Sequence, residues 1–159
     1  MVQNAINAKN RFIQFVSATV QTLVSGSTTI PADDTIPQKT EGDEIITVSI
    51  TPTSTTTNLL ITFETSCQLA ANAGSIGVAL FQDTTSNALA AQSMSKAASG
   101  GACIRLYHVM ASGTTSSTTF KIRAGTSTAS SNFNVNGTNT GVQTYGGRAS
   151  TTLTVMEYL

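Results

Sequence analysis

Apolar and polar residues alternate with period two in one short segment after another, and turn-forming residues separate the segments. Such alternation puts every second side chain on one face of an extended strand, so each segment must bury a face against something else. The first run covers residues 12–24. In 46–50, Ile46, Val48 and Ile50 share a face, and Pro52 with the Thr-rich turn through Thr57 ends the strand. In 59–67 the shared face carries Leu59, Ile61, Phe63 and Thr65. In 76–82 it carries Ile76, Val78 and Leu80, and a turn at 83–87 leads to a weaker strand over 88–95. After Gly100 and Gly101, residues 102–110 set Ile104, Leu106 and His108 against Cys103, Arg105, Tyr107 and Val109. Phe120, Ile122 and Ala124 lie together in 118–124, and 133–135 is short. In 150–158, Leu153, Val155 and Glu157 oppose Thr152, Thr154, Met156 and Tyr158. Eight or nine short strands with no helical pattern between them predict an all-β sandwich or barrel.

The segment 25–44 breaks this rhythm. It holds Pro31 and Pro37, which cannot donate to a ladder, and most of the acidic residues. It reads as a long loop with at most a short edge strand over 28–30. The first dozen residues fit either a short helix or an extended arm.

The 159 residues suit one domain. Only 10% are charged while 40% are apolar, so a core can form, and Thr and Ser stand where Lys and Glu would in a helical protein. Formal net charge is zero, so no positive field exists to hold a phosphate backbone, and nucleic acid is not an expected partner. No apolar run approaches the ~20 residues of a membrane-spanning helix, and no membrane partner is expected. The opening MVQNAINAKNRF lacks the apolar stretch and cleavage site of a secretory leader. Cys67 and Cys103 each sit in an alternating run and read as small core residues, with a cross-strand disulfide as the alternative. With one histidine they make no convincing zinc site.

Candidates for chemistry are few. His108 is the only histidine, and no Gly-x-Ser-x-Gly elbow accompanies it; it reads as a core or interface residue. Asp33, Asp34, Glu41, Asp43 and Glu44 form an acidic cluster. Asp33, Asp34 and Asp43 are the candidate cation ligands, since calcium takes flexible oxygen ligands. The spacing is not that of a calcium loop and Lys39 lies inside it, so a solvated loop with side-chain-stabilised turns is the competing reading. Arg105, Arg123 and Arg148 are isolated cations expected to pair with Glu64 or Glu157. Residues 130–147, rich in Asn, Gly and Thr, read as exposed loops at one end of the sandwich, where a rigid scaffold carries recognition. Phe133, Asn134, Asn136, Asn139 and Tyr145 are the candidate ligand residues there. No catalytic residue and no cofactor is expected.

Several blocks in order carry a resemblance: TTIPADDTIPQKTEGDE (28–44), ITPTSTTTNLLI (50–61), VALFQDTTSNALAA (78–91), ASGTTSSTTFKIRAG (111–125) and STTLTVMEY (150–158). Over residues 28–158 the chain resembles a domain found in tail-fibre-like and other structural proteins of tailed bacteriophages. Its strand order also resembles the trimeric jelly rolls of the tumour-necrosis-factor and complement-head type. The resemblance implies a jelly-roll sandwich of about 8–10 antiparallel strands over 25–159, with residues 1–24 as arm and first strand. It further implies a non-enzymatic virion protein, a homotrimeric decoration, spike or fibre knob. Ile6, Phe12 and Phe15 are the candidate anchoring residues. With no fibre shaft before the first shared block, a knob held to the capsid or tail by its N-terminus is expected, made in the host cytoplasm and released by lysis. The alternative is a receptor-binding tail module that uses 130–147 to hold a host-surface glycan.

Overall fold

A computed structural model describes residues 11–70, 74–96, 101–129 and 131–159. Ten strands follow one another: β1 (Phe12–Val20), β2 (Val24–Gly26), β3 (Asp43–Ile50), β4 (Asn58–Leu69), β5 (Gly74–Gln82), β6 (Ala90–Lys96), β7 (Gly101–Ala111), β8 (Thr118–Thr126), β9 (Phe133–Val135) and β10 (Thr151–Tyr158). No helix occurs among the described residues.

The strands form two antiparallel sheets. In the first, β7 pairs with β4 along one edge. The other edge of β4 takes β10 over Asn58–Glu64 and then β9 over Cys67–Leu69. β1 pairs with β10 and β2 with β9. The six segments thus lie in four columns: β1 with β2, β10 with β9, β4, and β7. The second sheet runs β3-β8-β5-β6. Numbered along the chain, the eight columns are ordered 1-8-3-6 in one sheet and 2-7-4-5 in the other. That is the strand order of a double-sheet jelly roll.

The alternation accounts for the core. Leu59, Ile61, Phe63, Leu153 and Val155 of the first sheet meet Ile76, Leu80, Phe120 and Ile122 of the second, all essentially without solvent contact. A bulge between Glu44 and Ile46 turns both Ile45 and Ile46 inward. β5 is buried on both sides, because the loop after β2 folds over its outer surface. Ile30 packs there on Ala79 and Phe81, held by Ile30 N–H to Thr126 O at 3.0 Å. The expected edge strand at 28–30 is a single bridge, Thr29 to Thr126.

The run expected over 12–24 is broken in two. Its break faces the break between β9 and β10, and Asn136 fills the seam. The Asn136 amide donates to Val20 O (2.8 Å) and Thr22 O (3.2 Å), and its oxygen accepts from the Thr151 hydroxyl. Cys67 is buried, but Cys103 is exposed, against the expectation of two core thiols. Cys103 pairs in register with Ser66, one residue out of phase with Cys67. The two side chains therefore leave opposite faces of the sheet, where a bridge cannot form.

Candidate interaction surfaces

The outward residues of the first sheet line up across all four columns. Register places Phe15 beside Met156, Met156 beside Leu60, and Leu60 beside Val109. One continuous apolar row crosses the sheet. Phe12 and Tyr158 extend it on one side, with the Phe12 and Phe15 rings 6.1 Å apart, and Tyr107 extends it on the other. Phe15 is 60% exposed and Tyr107 65%. Beyond the row the face turns polar: Ser17, Thr154 and Thr62, then Thr19, Thr152, Glu64 and Arg105. Arg105 Nε lies 3.6 Å from Glu64 Oε2, so the two charges offset each other. This is one of the expected arginine pairings, and at such exposure it adds little stability. A hollow of about 230 Å³ opens beside Tyr107, bounded by Thr62, Glu64, Thr152 and Thr154. Phe12 and Phe15, candidates for anchoring, belong to this face; Ile6 lies outside the described residues.

At the far end of the same sheet stands the loop between β9 and β10. The five candidate ligand residues part company here. Phe133 is wholly buried in the core, and Asn134 and Asn136 are buried too. Asn134 donates to Thr138 O and Asn139 O and accepts from Ser25, so it fastens the loop to β2. Phe133 and Asn134 are structural because β9 is an interior strand between β4 and β2 and not an exposed loop, and Asn136, just past it, because it fills the seam. Asn139 is half-buried, its N–H given to Gln68 Oε1. Tyr145 alone projects, 84% exposed. Its φ is 51°, and Gly146 and Gly147 follow at 59° and 81°. A tyrosine in the left-handed region carries strain of about 1 kcal/mol or more. Tyr145, Thr144, Gln68, Ser66 and Cys103 border a pocket of about 250 Å³.

The acidic residues are not brought together. Among the described residues no group of three or more His, Cys, Asp or Glu side chains is arranged to hold a metal. Asp33 accepts from the hydroxyl and N–H of Thr35, bonds that hold its carboxyl below the ordinary range. Asp34 is exposed on the same loop. Asp43 accepts from Ser27 N–H, Thr28 N–H and the Thr28 hydroxyl. Burial raises its pKa, but those bonds and the Arg123 charge bring it below the ordinary value. Glu41 accepts from Gln38 N–H, and Glu44 faces Lys121 at 3.7 Å. Arg123 donates to the carbonyls of Glu41 and Gly42 instead of to a carboxylate. Asp33, Glu41 and Asp43 each fasten a different stretch of backbone, as side chains of this kind do in loops.

Glu157 does not pair with arginine either. It is fully buried and accepts from Thr53 N–H (2.9 Å), the hydroxyls of Thr53 (2.8 Å) and Thr57 (2.7 Å), and Gln14 Nε2 (2.6 Å). His108 lies on β7 opposite Ile61, half-buried on the side of Ile104 and Leu106.

The fold and its surfaces define a jelly-roll sandwich with an apolar row across one outer sheet face, uncovered among the described residues, and a distal loop. No protein-family model matches the chain, and no curated protein matches it in sequence. Among solved structures it is similar to the EclA C-terminal domain, a sugar-binding protein, at 16% identity and TM-score 0.41, over 82% of this chain and 76% of that one. It is similar to dimeric latent PorU from Porphyromonas gingivalis at 13% identity and TM-score 0.40, over 96% of this chain and 14% of that one. A chain of the T13 infectious bursal disease virus particle matches at 12% identity and TM-score 0.40, over 93% of this chain and 36% of that one. This chain thus spans about a third of that viral protein. At such scores the fold assignment rests on the strand order itself.

Proposed function

We infer that this chain is a non-enzymatic structural module of a bacteriophage particle: a surface appendage that works as a homotrimer and is anchored through its N-terminal segment. The observation that carries the reading is the apolar row across the first sheet, in which Phe15, Val109 and the adjoining Tyr107 are exposed and Met156 and Leu60 between them are half-buried. Monomeric soluble proteins rarely leave such a surface uncovered. The ordered blocks of resemblance from Thr28 to Tyr158 supply the virion context. Near-zero net charge offers little resistance to association. Mass spectrometry of purified particles, with immunogold labelling of intact virions, tests the location. The expected result is a constant copy number per particle and label on the outside. Recovery only in the lysate, with none on particles, would refute it.

The strained, projecting Tyr145 beside an amide- and hydroxyl-lined pocket favours a second reading, recognition of a host-surface glycan by stacking on the ring. A glycan array probed with the wild type and Tyr145→Ala decides it. Hits lost in the variant support the reading, and an empty array removes it.

A further inference from the structure

We propose that the outward face of the first sheet is where a second copy of this chain docks, with Phe15, Met156, Leu60 and Val109 at the centre of the contact. The proposal deepens the assembly reading by naming its surface.

The two outer faces of the sandwich are unlike. The second sheet covers its own apolar strip with the loop around Ile30 and otherwise shows Thr47, Ser49, Lys121 and Arg123. The first sheet has no such cover among the described residues. Of six Phe and three Tyr, Phe63, Phe120 and Phe133 fill the interior, Phe81 lies under the loop around Ile30, and Tyr145 sits on the distal loop. The other four, Phe12, Phe15, Tyr107 and Tyr158, all belong to this face. An aromatic centre with a Ser and Thr border is the layout of a protein–protein contact.

Size and charge both favour a like partner. Four columns spaced roughly 4.8 Å apart, with a rise of roughly 3.3 Å per residue along β4, give a whole face of roughly 700 Å², whose Asn58–Thr62 end carries the apolar row. One partner in a standard interface contributes about 800 Å². The charges on the face are Glu64 and Arg105, already paired, so two copies meet without net repulsion, and either charge can exchange partners across the contact. The projecting Phe12–Phe15 pair and the hollow beside Tyr107 give one face both a knob and a recess.

The test is light scattering of the full chain from about 1 to 100 µM, for the wild type, Phe15→Ser, Tyr107→Ser and the distal-loop control Val142→Ser. The first two replace exposed side chains, so far-UV circular dichroism and melting temperature should stay as in the wild type. The expected result is a wild-type oligomer whose self-association weakens at least about tenfold in Phe15→Ser and Tyr107→Ser and is unchanged in Val142→Ser. An oligomer that persists unchanged in both face variants overturns the proposal while leaving assembly through another surface intact. A wild type that stays monomeric to about 100 µM overturns it together with the homotrimer. If footprinting of that monomer found Phe15 protected, the residues before Arg11 would be the occupant.

Discussion

Replacing Glu157 should separate a buried carboxylate that holds the sandwich together from one merely tolerated there. Its Oε1 takes three donors and its Oε2 takes Gln14, tying β10 to the 51–57 turn and to β1. In Glu157→Gln one oxygen can still face the three donors, but the new amide nitrogen meets Gln14 Nε2, itself a donor that also bonds Thr51 O. One bond is lost and three lose their charge, a cost of about 1–2 kcal/mol. In Glu157→Ala all four bonds go. The Thr57 hydroxyl can turn to Ser54 O at 3.0 Å, but the Thr53 N–H has no such substitute, and a cavity remains. About 3 kcal/mol is expected, a fall in melting temperature of roughly 6–12 °C for a domain of this size. Burial is the strongest single influence on this carboxyl and raises its pKa; the bonds from Thr57, Gln14 and Thr53 together lower it below the ordinary value. A carboxyl with a lowered folded pKa adds stability that is full above about pH 4.3, the unfolded value, and is lost as pH falls through the folded one. Thermal melts from pH 7 to pH 3 should therefore show the gap between wild type and Glu157→Gln closing below about pH 4. A Gln variant as stable as wild type at pH 7, or a gap unchanged at pH 3, would refute this account.

Three further outcomes follow from the geometry. A Cβ at Gly125 would stand 2.6 Å from Ile30 N and 2.8 Å from Thr28 O, so Gly125→Ala should lift the loop off β5 at a cost of about 1–3 kcal/mol and speed tryptic cleavage at Lys39; unchanged cleavage would count against the close approach. Asn136→Ala removes the seam bonds and puts alanine at φ 59°, so a loss of about 2–4 kcal/mol is expected in urea melts, and only the backbone share of about 1 kcal/mol if Asn136 served only a ligand. A thiol reagent on native protein should label Cys103 and spare Cys67, read by peptide mass spectrometry; label on Cys67 would mean that the first sheet opens readily.

The strands were legible because alternation reports a face, and a face needs no knowledge of the partner. Leu59, Ile61, Phe63 and Thr65 point inward as their spacing requires. Glu157 also follows its strand inward, yet nothing local identified Thr53 and Thr57 as its donors, since they lie 104 and 100 residues away. Three of the five candidate ligand residues lie elsewhere than expected for a related reason. Asn and Gly around 133–135 carry ordinary loop chemistry, and only the pairing of β9 between β4 and β2 and the seam just past it turn Phe133, Asn134 and Asn136 into interior residues. The alternating F-N-V-N was the available signal. For the apolar row the reverse holds: Phe15, Leu60, Val109 and Met156 occupy four separate strands, each looking like one apolar residue on an exposed edge, and only the register joins them.

That register bears on why the sandwich tolerates so apolar an exterior. Scattered outward apolar residues are normal on a soluble protein and carry little cost. Alignment in one row is different, because it concentrates on a flat sheet the surface that water disfavours, where another flat sheet can remove it at once. A chain needing only solubility could place Thr at these four outward positions, as it does at Thr152, Thr154 and Thr62 in the same sheet, without disturbing the inward face. Phe15→Thr and Val109→Thr should accordingly fold as well as the wild type, because both positions face outward from the core. What such variants would lose is assembly, so the contrast between unchanged melting and lost association is what distinguishes a docking face from an accident of composition.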